Sequence, residues 1–498
     1  MIPPEPQDRH AEALSRWTRP LGWRNPTPAK RYNLVVIGAG PAGLVCAAGA
    51  AGLGAKVALI EKYRLGGDCL HFGCVPSKAF LRSARFVAEA KAASELGVAN
   101  HSKKDIDFSA VMERLRRLRA DVAKVDAAER FADMGIDVFF GAARFAGPET
   151  LAVAESELHF ARAVIATGAR PADPGLPGLE HGKYFTNETI FNLTEQPKRL
   201  IVIGAGAVGC ELAQAFARLG SEVHLVNRSP RILSREEPDA AEIVLQQLRR
   251  DGIALHLGVH LLDGHGGGVR FEQHGKTISL DAEAILVATG RTPNVENLNL
   301  RAANVEHAEK GIVVDDFLRT TNSRIFAAGD VCAKQQYTHA ADAMARIVLR
   351  NALFFGRERW SNVVVPHCTY TDPELASVGM TASQAAERRI PIQTFQIPFD
   401  EVDRAVVDSE REGFCQVHVR RGTDRIVGAT VVGKHAGETI GELVLAMAKR
   451  VGLGSLASVV RAYPTRSNVI SKVADAYQRT RLTPFRQRLL AALLRWRR

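Results

Sequence analysis

The 498-residue sequence predicts an α/β protein made of two βαβ units, with an α+β domain at its carboxyl-terminal end. Three observations predict this. Residues 32–62 read as strand ("YNLVVI"), the turn "GAGPAG", an apolar helix and a second strand ("KVALIEK"). Residues 199–228 repeat the plan with "RLIVI", "GAGAVG", "CELAQAFARLG" and "EVHLVNR". From about residue 363 the texture changes to short alternating strands and two helical runs, an antiparallel sheet with helices.

Each βαβ unit carries G-x-G-x-x-G at its first turn, the fingerprint of a Rossmann-like dinucleotide site. In each, a polar residue follows the first glycine by 23 positions: Glu61 after Gly38, and Asn227 after Gly204. Gly38 and Gly204 permit the tight turn. Gly40 and Gly206 admit the pyrophosphate to the backbone, and Gly43 and Gly209 let helix approach strand. The helix start supplies N–H donors and partial positive charge. A carboxylate at Glu61 accepts from two ribose hydroxyls, so the first site expects an unphosphorylated adenosine ribose. Asn227 is neutral and Arg228 follows it, with Arg231 nearby. Such a pair attracts a ribose 2′-phosphate, so the second site expects NADPH ahead of NADH.

Three shorter stretches follow. "VIATGARP" and "LVATGRTP" each read as a strand ending in a Thr-Gly turn where the chain leaves a nucleotide domain. "TTNSRIFAAGDV" ends in Gly329-Asp330, and an aspartate at a strand end can accept from a sugar-alcohol hydroxyl or cap a helix.

The bulk numbers narrow the classes. Hydrophobic residues make up 46% and charged residues 24%, which reads as soluble and globular. The net charge is +11, but residues 479–498 hold seven arginines and no acid, so most of the excess sits in one tail. A nucleic-acid-binding surface is therefore not expected. Residues 34–55 are uncharged, yet their glycines and proline suit a buried strand and a small-residue helix rather than a membrane span. The start, "MIPPEPQDRH", lacks a basic region and apolar core, so no signal peptide is expected and the location expected is cytoplasmic.

The stretch "LGGDCLHFGCVPSK" holds Cys69 and Cys74, two of seven cysteines. A structural disulfide, half of a metal site and a redox pair all compete here. Seven scattered cysteines do not make a disulfide framework, and no Cys-x-x-Cys pair or His/Cys cluster completes a zinc site, so no metal is expected.

Together these motifs resemble the class I pyridine nucleotide–disulfide oxidoreductases, the flavoprotein family of glutathione reductase, dihydrolipoamide dehydrogenase and mercuric reductase. "GAGPAG" with Glu61, "GGDCLHFGCVPSK", "GAGAVGCELA", "LVATGRTPN", "IFAAGDV" and "YTDPELASVG" come in the family's order, between about Tyr32 and Tyr477. The resemblance implies FAD at Gly38, Gly40, Gly43, Glu61, Lys62, Gly67, Thr167, Gly168, Gly329 and Asp330. It implies NAD(P)H at Gly204, Gly206, Gly209, Asn227, Arg228 and Gly290. It makes Cys69 and Cys74 a redox disulfide, with Cys74 against the flavin as the charge-transfer thiolate and Cys69 attacking substrate. Lys78 and Glu211 match a lysine–glutamate pair beside the flavin. The last domain is expected to form a homodimer.

The domains expected are an extension (1–31), an FAD-binding part (32–183), an NAD(P)H-binding domain (184–299), a second FAD-binding and central part (300–362), a dimerisation domain (363–478) and a basic tail (479–498). Four departures stand out. Tyr463 occupies the place of the family's acid/base histidine, and Asn468 that of its glutamate partner. A phenol with a pKa of ~10 is a poor proton shuttle. Asp68 and His71 replace a threonine and an asparagine; a packed His71 is the plainer reading, a His71 tuning Cys69 the sharper one. The C-terminal cysteine pair of mercuric reductases is missing, as is an amino-terminal Cys-x-x-Cys domain. The tyrosine, Asn227-Arg228 and "VNRSPRILSREEPDAAEIV" nevertheless resemble the mercuric branch most.

The function expected is thus NADPH oxidation by an FAD enzyme through Cys69/Cys74, toward a disulfide, a soft metal ion or another electrophile. A dihydrolipoamide dehydrogenase-like reductase and a redox-sensing flavoprotein that binds a partner are the alternatives. The tail "RTRLTPFRQRLLAALLRWRR" reads as an interfacial helix for anionic membrane, or as one packed on its own protein, for instance on the extension with Trp17 and Trp23.

Overall fold

The structure, a computed structural model, describes residues 4–98 and 106–498; the first three residues of the extension lie outside it. The chain forms two compact units. One comprises Met1–Ala205, Ala215–Arg228 and Ala254–Val363, the other Gly206–Gln214, Ser229–Ile253 and Val364–Arg498.

In the first unit, helix α1 (Arg9–Thr18) precedes strand β1 (Tyr32–Ile37), helix α2 (Pro41–Gly52) and strand β2 (Val57–Glu61). β1 pairs in parallel with β2 and with Ser156–Ile165. Asp137–Phe140 and Ile325–Ala327 extend this sheet in parallel on its two sides. β2 is buried at every position, as a strand covered on both faces must be. The uncharged run 34–55 is this strand, the turn and α2, and no helix among the described residues is long and apolar enough to cross a membrane. A separate four-stranded parallel sheet holds Ala254–Leu257, Glu222–Asn227, Arg199–Ile203 and Ala284–Val287.

Two further helices carry the cysteines. The short α3 (Gly67–His71) holds Cys69, and α4 (Cys74–Lys91) begins at Cys74. Helix α5 (Phe108–Val122) packs beside α4 and α1.

The second unit is built on an antiparallel five-stranded sheet, in the order Pro366–Thr369, Glu374–Gly379, Ile426–Gly433, Phe414–Arg420, Ile392–Pro398. Helices Ala436–Ala448 and Asn468–Thr480 bury Leu443 and Val473 with Val417 and Val431 of the sheet. Two pairs tie the segment before helix Pro238–Arg250 to this sheet: Glu236 with the half-buried His367 at 2.6 Å, and Glu237 with the buried His418 at 2.9 Å.

The tail forms helix Pro484–Trp496, capped by Thr483. None of its residues is buried, so its leucines are not packed on this chain. Trp23 is engaged elsewhere, edge-on to Phe140 and donating its indole N–H to the Val138 carbonyl.

Candidate active site

At Gly38 and Gly43 of the first fingerprint the backbone leaves room for glycine alone. Gly38 has φ +101°, and a Cβ there would meet the Ala166 carbonyl oxygen at 2.4 Å. A Cβ on Gly43 would meet the Gly38 oxygen at 1.8 Å, and one on Gly67 the Gly40 Cα at 2.6 Å. Gly40 caps α2 with no side chain, so the first amides of the helix are not claimed by a capping group. A closed glycine cradle over an uncapped helix start fits a pyrophosphate. Glu61 accepts from the Ala39 amide at 2.8 Å and from the Tyr63 amide at 2.7 Å. Burial pushes its carboxyl up while those amides hold it down. Each oxygen keeps lone-pair capacity for a ribose hydroxyl.

The second fingerprint copies the first. Gly204 has φ +106°, and a Cβ there would meet the Ala288 oxygen at 2.5 Å. Asn227 accepts from the Ala205 amide at 3.2 Å, the counterpart of Glu61 with Ala39. The next residue, Arg228, is exposed. Gly206 is exposed at the turn and Gly209 is buried in helix Ala207–Leu219.

The two Thr-Gly turns meet. Ala169–Pro171 pairs antiparallel with Arg291–Pro293, and the Gly290 carbonyl accepts from the Ala172 amide at 3.0 Å. Thr167 donates to the Asn294 carbonyl at 2.7 Å, and the Asn294 amide N–H donates to the Gly168 carbonyl at 2.9 Å. Their similarity in sequence is thus a physical contact.

Cys69 and Cys74 are free thiols, hydrogen-bonded to one another. Cys69 is half-buried and Cys74 exposed. The Cys69 thiol pulls Cys74 down to about 6, with the Thr338 hydroxyl, 3.5 Å from the Cys74 sulfur, and the Lys78 charge assisting. The same hydrogen bond and burial push Cys69 strongly up. One thiol therefore serves as donor to the other's thiolate, at a helix start that favours negative charge. Asp68 works against both, since its charge raises each thiol.

Asp330 follows Gly329, and burial pushes it up to about 6 against the pull of Arg291. Arg291 and the Asp68 partner Asn187 were not singled out from sequence. Arg291 sits inside the quoted "LVATGRTPN", whereas nothing local marks Asn187 or Thr338. His71 is buried, with Nε2 2.8 Å from the Leu65 carbonyl, and is pushed down to about 3 by burial and by Arg119 and Arg64. It is a neutral packed ring, so it does not serve as a proton donor to Cys69.

In the second unit, Glu211 accepts from the Tyr370 amide at 2.8 Å. Tyr463 is exposed and donates its hydroxyl to Asp403 at 2.7 Å, which raises the phenol further. Asn468 accepts from the Thr465 amide at 2.9 Å, a local bond to the turn before its helix. Among the described residues no cluster of three His, Cys, Asp or Glu is placed to hold a metal ion.

Two nucleotide cradles and a thiol–thiolate pair in one chain define a class: flavin-dependent pyridine-nucleotide oxidoreductases that work through cysteine. The chain belongs to the pyridine nucleotide-disulphide oxidoreductase family, whose sequence profile matches residues 32–346. The family's dimerisation domain matches residues 365–474, and the protein is accordingly a homodimer. The mercuric reductase of Bacillus cereus is 36% identical over 439 residues, which are 87% of this chain and 69% of the relative. The dihydrolipoyl dehydrogenase of Chlamydia muridarum is 33% identical, over 89% of this chain and 96% of its own. The Cu(II) complex of the HOCl-induced flavoprotein disulfide reductase RclA from Escherichia coli superposes with a TM-score of 0.79 at 28% identity, over 90% of this chain and 100% of that one. The protein is an FAD-dependent disulfide oxidoreductase with NAD(P)H as electron donor.

Proposed function

We propose that the enzyme takes electrons from NADPH and passes them through Cys69 and Cys74 to a thiophilic metal ion or a disulfide with a good leaving thiolate. The observation that carries the acceptor class is Tyr463. Its phenol is exposed, donates to Asp403 and is shifted away from neutrality, so it protonates no leaving thiolate at pH 7. An acceptor that needs no proton fits this site. The likeness to mercuric reductases, and to a reductase characterised with Cu(II), supports a soft or borderline metal ion first.

FAD, when bound, relays the electron pair from nicotinamide to the cysteines. Gly38, Gly40, Gly43 and Gly67 form its cradle, with Glu61, Lys62, Thr167, Gly168, Gly329 and Asp330 as further FAD-binding residues. Gly204, Gly206, Gly209, Asn227, Arg228 and Gly290 hold the pyridine nucleotide, and Arg228 favours the 2′-phosphate. Cys74 takes the flavin side on the family resemblance, and its lowered thiol supports a thiolate there. Lys78 supports that charge, while Glu211 keeps a flavin-side role on the family resemblance alone.

With a disulfide acceptor, Cys69 attacks one sulfur and expels the first thiolate. Cys74 then attacks the Cys69 sulfur, expels the second thiolate and closes the Cys69–Cys74 disulfide. With Hg(II), both sulfurs bind as thiolates, the one proton of the thiol–thiolate pair goes to solvent, and the metal leaves as Hg(0) with the electron pair as the disulfide closes; with Cu(II), two ions each take one of the two electrons and leave as Cu(I).

The domain limits in this reading are 32–183 and 300–362 for FAD, 184–299 for NAD(P)H and 363–478 for dimer contact, between the extension 1–31 and the tail 479–498. A cysteine pair that cycles between disulfide and thiols fits a reducing, cytoplasmic site. The exposed tail helix carries Phe485, Leu489, Leu493 and Trp496 among arginines and fits the surface of an anionic membrane. NADPH turnover against Hg(II), Cu(II), small disulfides and lipoamide tests the function. Metal-ion turnover that needs both cysteines supports the reading, and a preference for lipoamide overturns it. No turnover with any acceptor would leave the redox-sensing alternative.

A further inference from the structure

The segment before the first fingerprint is bound to the cysteine-bearing loop at almost every turn. The Thr18 carbonyl accepts from the Leu65 amide at 3.1 Å. Arg19 donates to the carbonyls of Lys62 at 3.1 Å and Tyr63 at 2.9 Å. Leu14 is buried with Leu70, Ala120 and Ala123, and Trp17 and Val75 pack against the same cluster. Leu70 follows Cys69 and Val75 follows Cys74, so one small core backs both redox residues.

The polar contacts converge on His71. Glu5 pairs with Arg64 at 3.0 Å and with Arg119 at 2.8 Å. The Arg119 side chain is 2% exposed and donates to the His71 carbonyl at 3.1 Å. His71 in turn bonds the Leu65 carbonyl through Nε2 at 2.8 Å. That bond fixes the Nε2–H tautomer and leaves Nδ1, which is buried without a partner. His71 closes α3, and only Phe72 and Gly73 separate it from Cys74 at the start of α4. The spacing of the two sulfurs is set across this link.

We propose that residues 5–19 form a strap that positions the Cys69–Cys74 pair, with Glu5 acting through Arg119 on the His71 peptide. The proposal rests on the redox reading of that pair. Its physical basis is that a buried guanidinium needs a counter-charge. Without the Glu5 carboxylate, Arg119 turns toward water and releases the His71 carbonyl, and the α3–α4 link relaxes. Two thiols held less firmly have a lower effective concentration toward one another, so their disulfide reduces more readily. Glu5, Arg119 and His71 are positioning residues in this scheme.

The test uses the FAD-loaded full chain equilibrated in dithiothreitol buffers, with thiols counted after acid quench. Wild type must show a titratable disulfide; its failure to do so would reject the redox reading itself, not the strap alone. Given that disulfide, Glu5→Gln raises the equilibrium constant for its reduction at least about threefold, and Glu5→Asp restores part of the loss. Asp8→Asn is the comparator. It removes the charge that pairs with Arg116 at 2.6 Å, keeps a side-chain oxygen to cap α1, and alters no contact to the redox loop. It should lower Tm and leave the equilibrium constant unchanged. Should Glu5→Gln not retain FAD, Arg19→Ala, which cuts the ties to Lys62 and Tyr63, carries the same expectation. A wild-type equilibrium constant in the variant read, or shifts that simply follow Tm in both Glu5 and Asp8 variants, overturns the strap.

Discussion

Asp68 places a carboxylate oxygen 3.2 Å from the Arg291 guanidinium, one residue before Cys69. The same guanidinium lies 3.6 Å from Asp330 and donates to the Ala169 carbonyl at 2.8 Å. The second Asp68 oxygen accepts from Asn187 at 3.0 Å. Arg291 therefore links the loop of the cysteines to the aspartate of the FAD site, and Asp68 adds negative charge where thiolate must form.

Asp68→Asn should shift the acid limb of activity to lower pH. Cys74 is depressed to about 6, so its thiolate is present above that pH and lost as pH falls through it. Removing the Asp68 charge lowers both thiols, and Arg291 then serves Asp330 alone and holds it lower too. The pH profile of NADPH turnover checks this. A limb that stays in place or moves up contradicts it.

Arg228→Glu should cut the NADPH preference over NADH by about tenfold or more, the scale of one charge-assisted hydrogen bond. Steady-state kcat/KM for both nucleotides measures it. A wild type that favours NADH tenfold removes the basis of the Asn227–Arg228 assignment.

How much of this was legible in sequence differs by scale. Both fingerprints were, because glycine is required wherever a Cβ would strike a carbonyl, as at Gly38 and Gly204. The cysteines were legible through their motif. Arg291, Asn187 and Thr338 were not, since their value comes from contacts at sequence separations far beyond any local pattern. The Glu5–Arg119–His71 chain hid for the same reason: a glutamate near an amino terminus reads as solvated until burial of its partner is known. The tail was legible as a helix, but its lack of any covering surface appears only in three dimensions.

Cys69→Ser and Cys74→Ser should separate the two thiols. Each should lower acceptor turnover at least about a hundredfold. Cys69→Ser should retain a long-wavelength absorbance from a standing Cys74 thiolate beside the flavin, and Cys74→Ser should lack it. The same spectrum from both variants contradicts the assigned roles.

Tyr463→His should not give full activity with oxidised glutathione or dihydrolipoamide. Asn468 is committed to the Thr465 amide and supplies no carboxylate to orient an imidazole. Robust lipoamide turnover by wild type would place the acid elsewhere.

A chain ending at Leu482 should lose binding to anionic vesicles while keeping its FAD and its Tm, because no residue of helix Pro484–Trp496 is buried. Co-sedimentation at low and high salt measures this. Loss of Tm in the truncation, with no vesicle binding by either form, would make the tail a packing element.

The central claim, that electrons from NADPH pass through the Cys69–Cys74 pair, is tested most directly by counting thiols in anaerobic, FAD-loaded enzyme. One equivalent of NADPH per chain should expose two new thiols, reaching the full seven cysteines of the sequence. Isotope-tagged alkylation should map the new pair to Cys69 and Cys74. A thiol count that NADPH leaves unchanged, or new thiols at any other pair, would contradict the account.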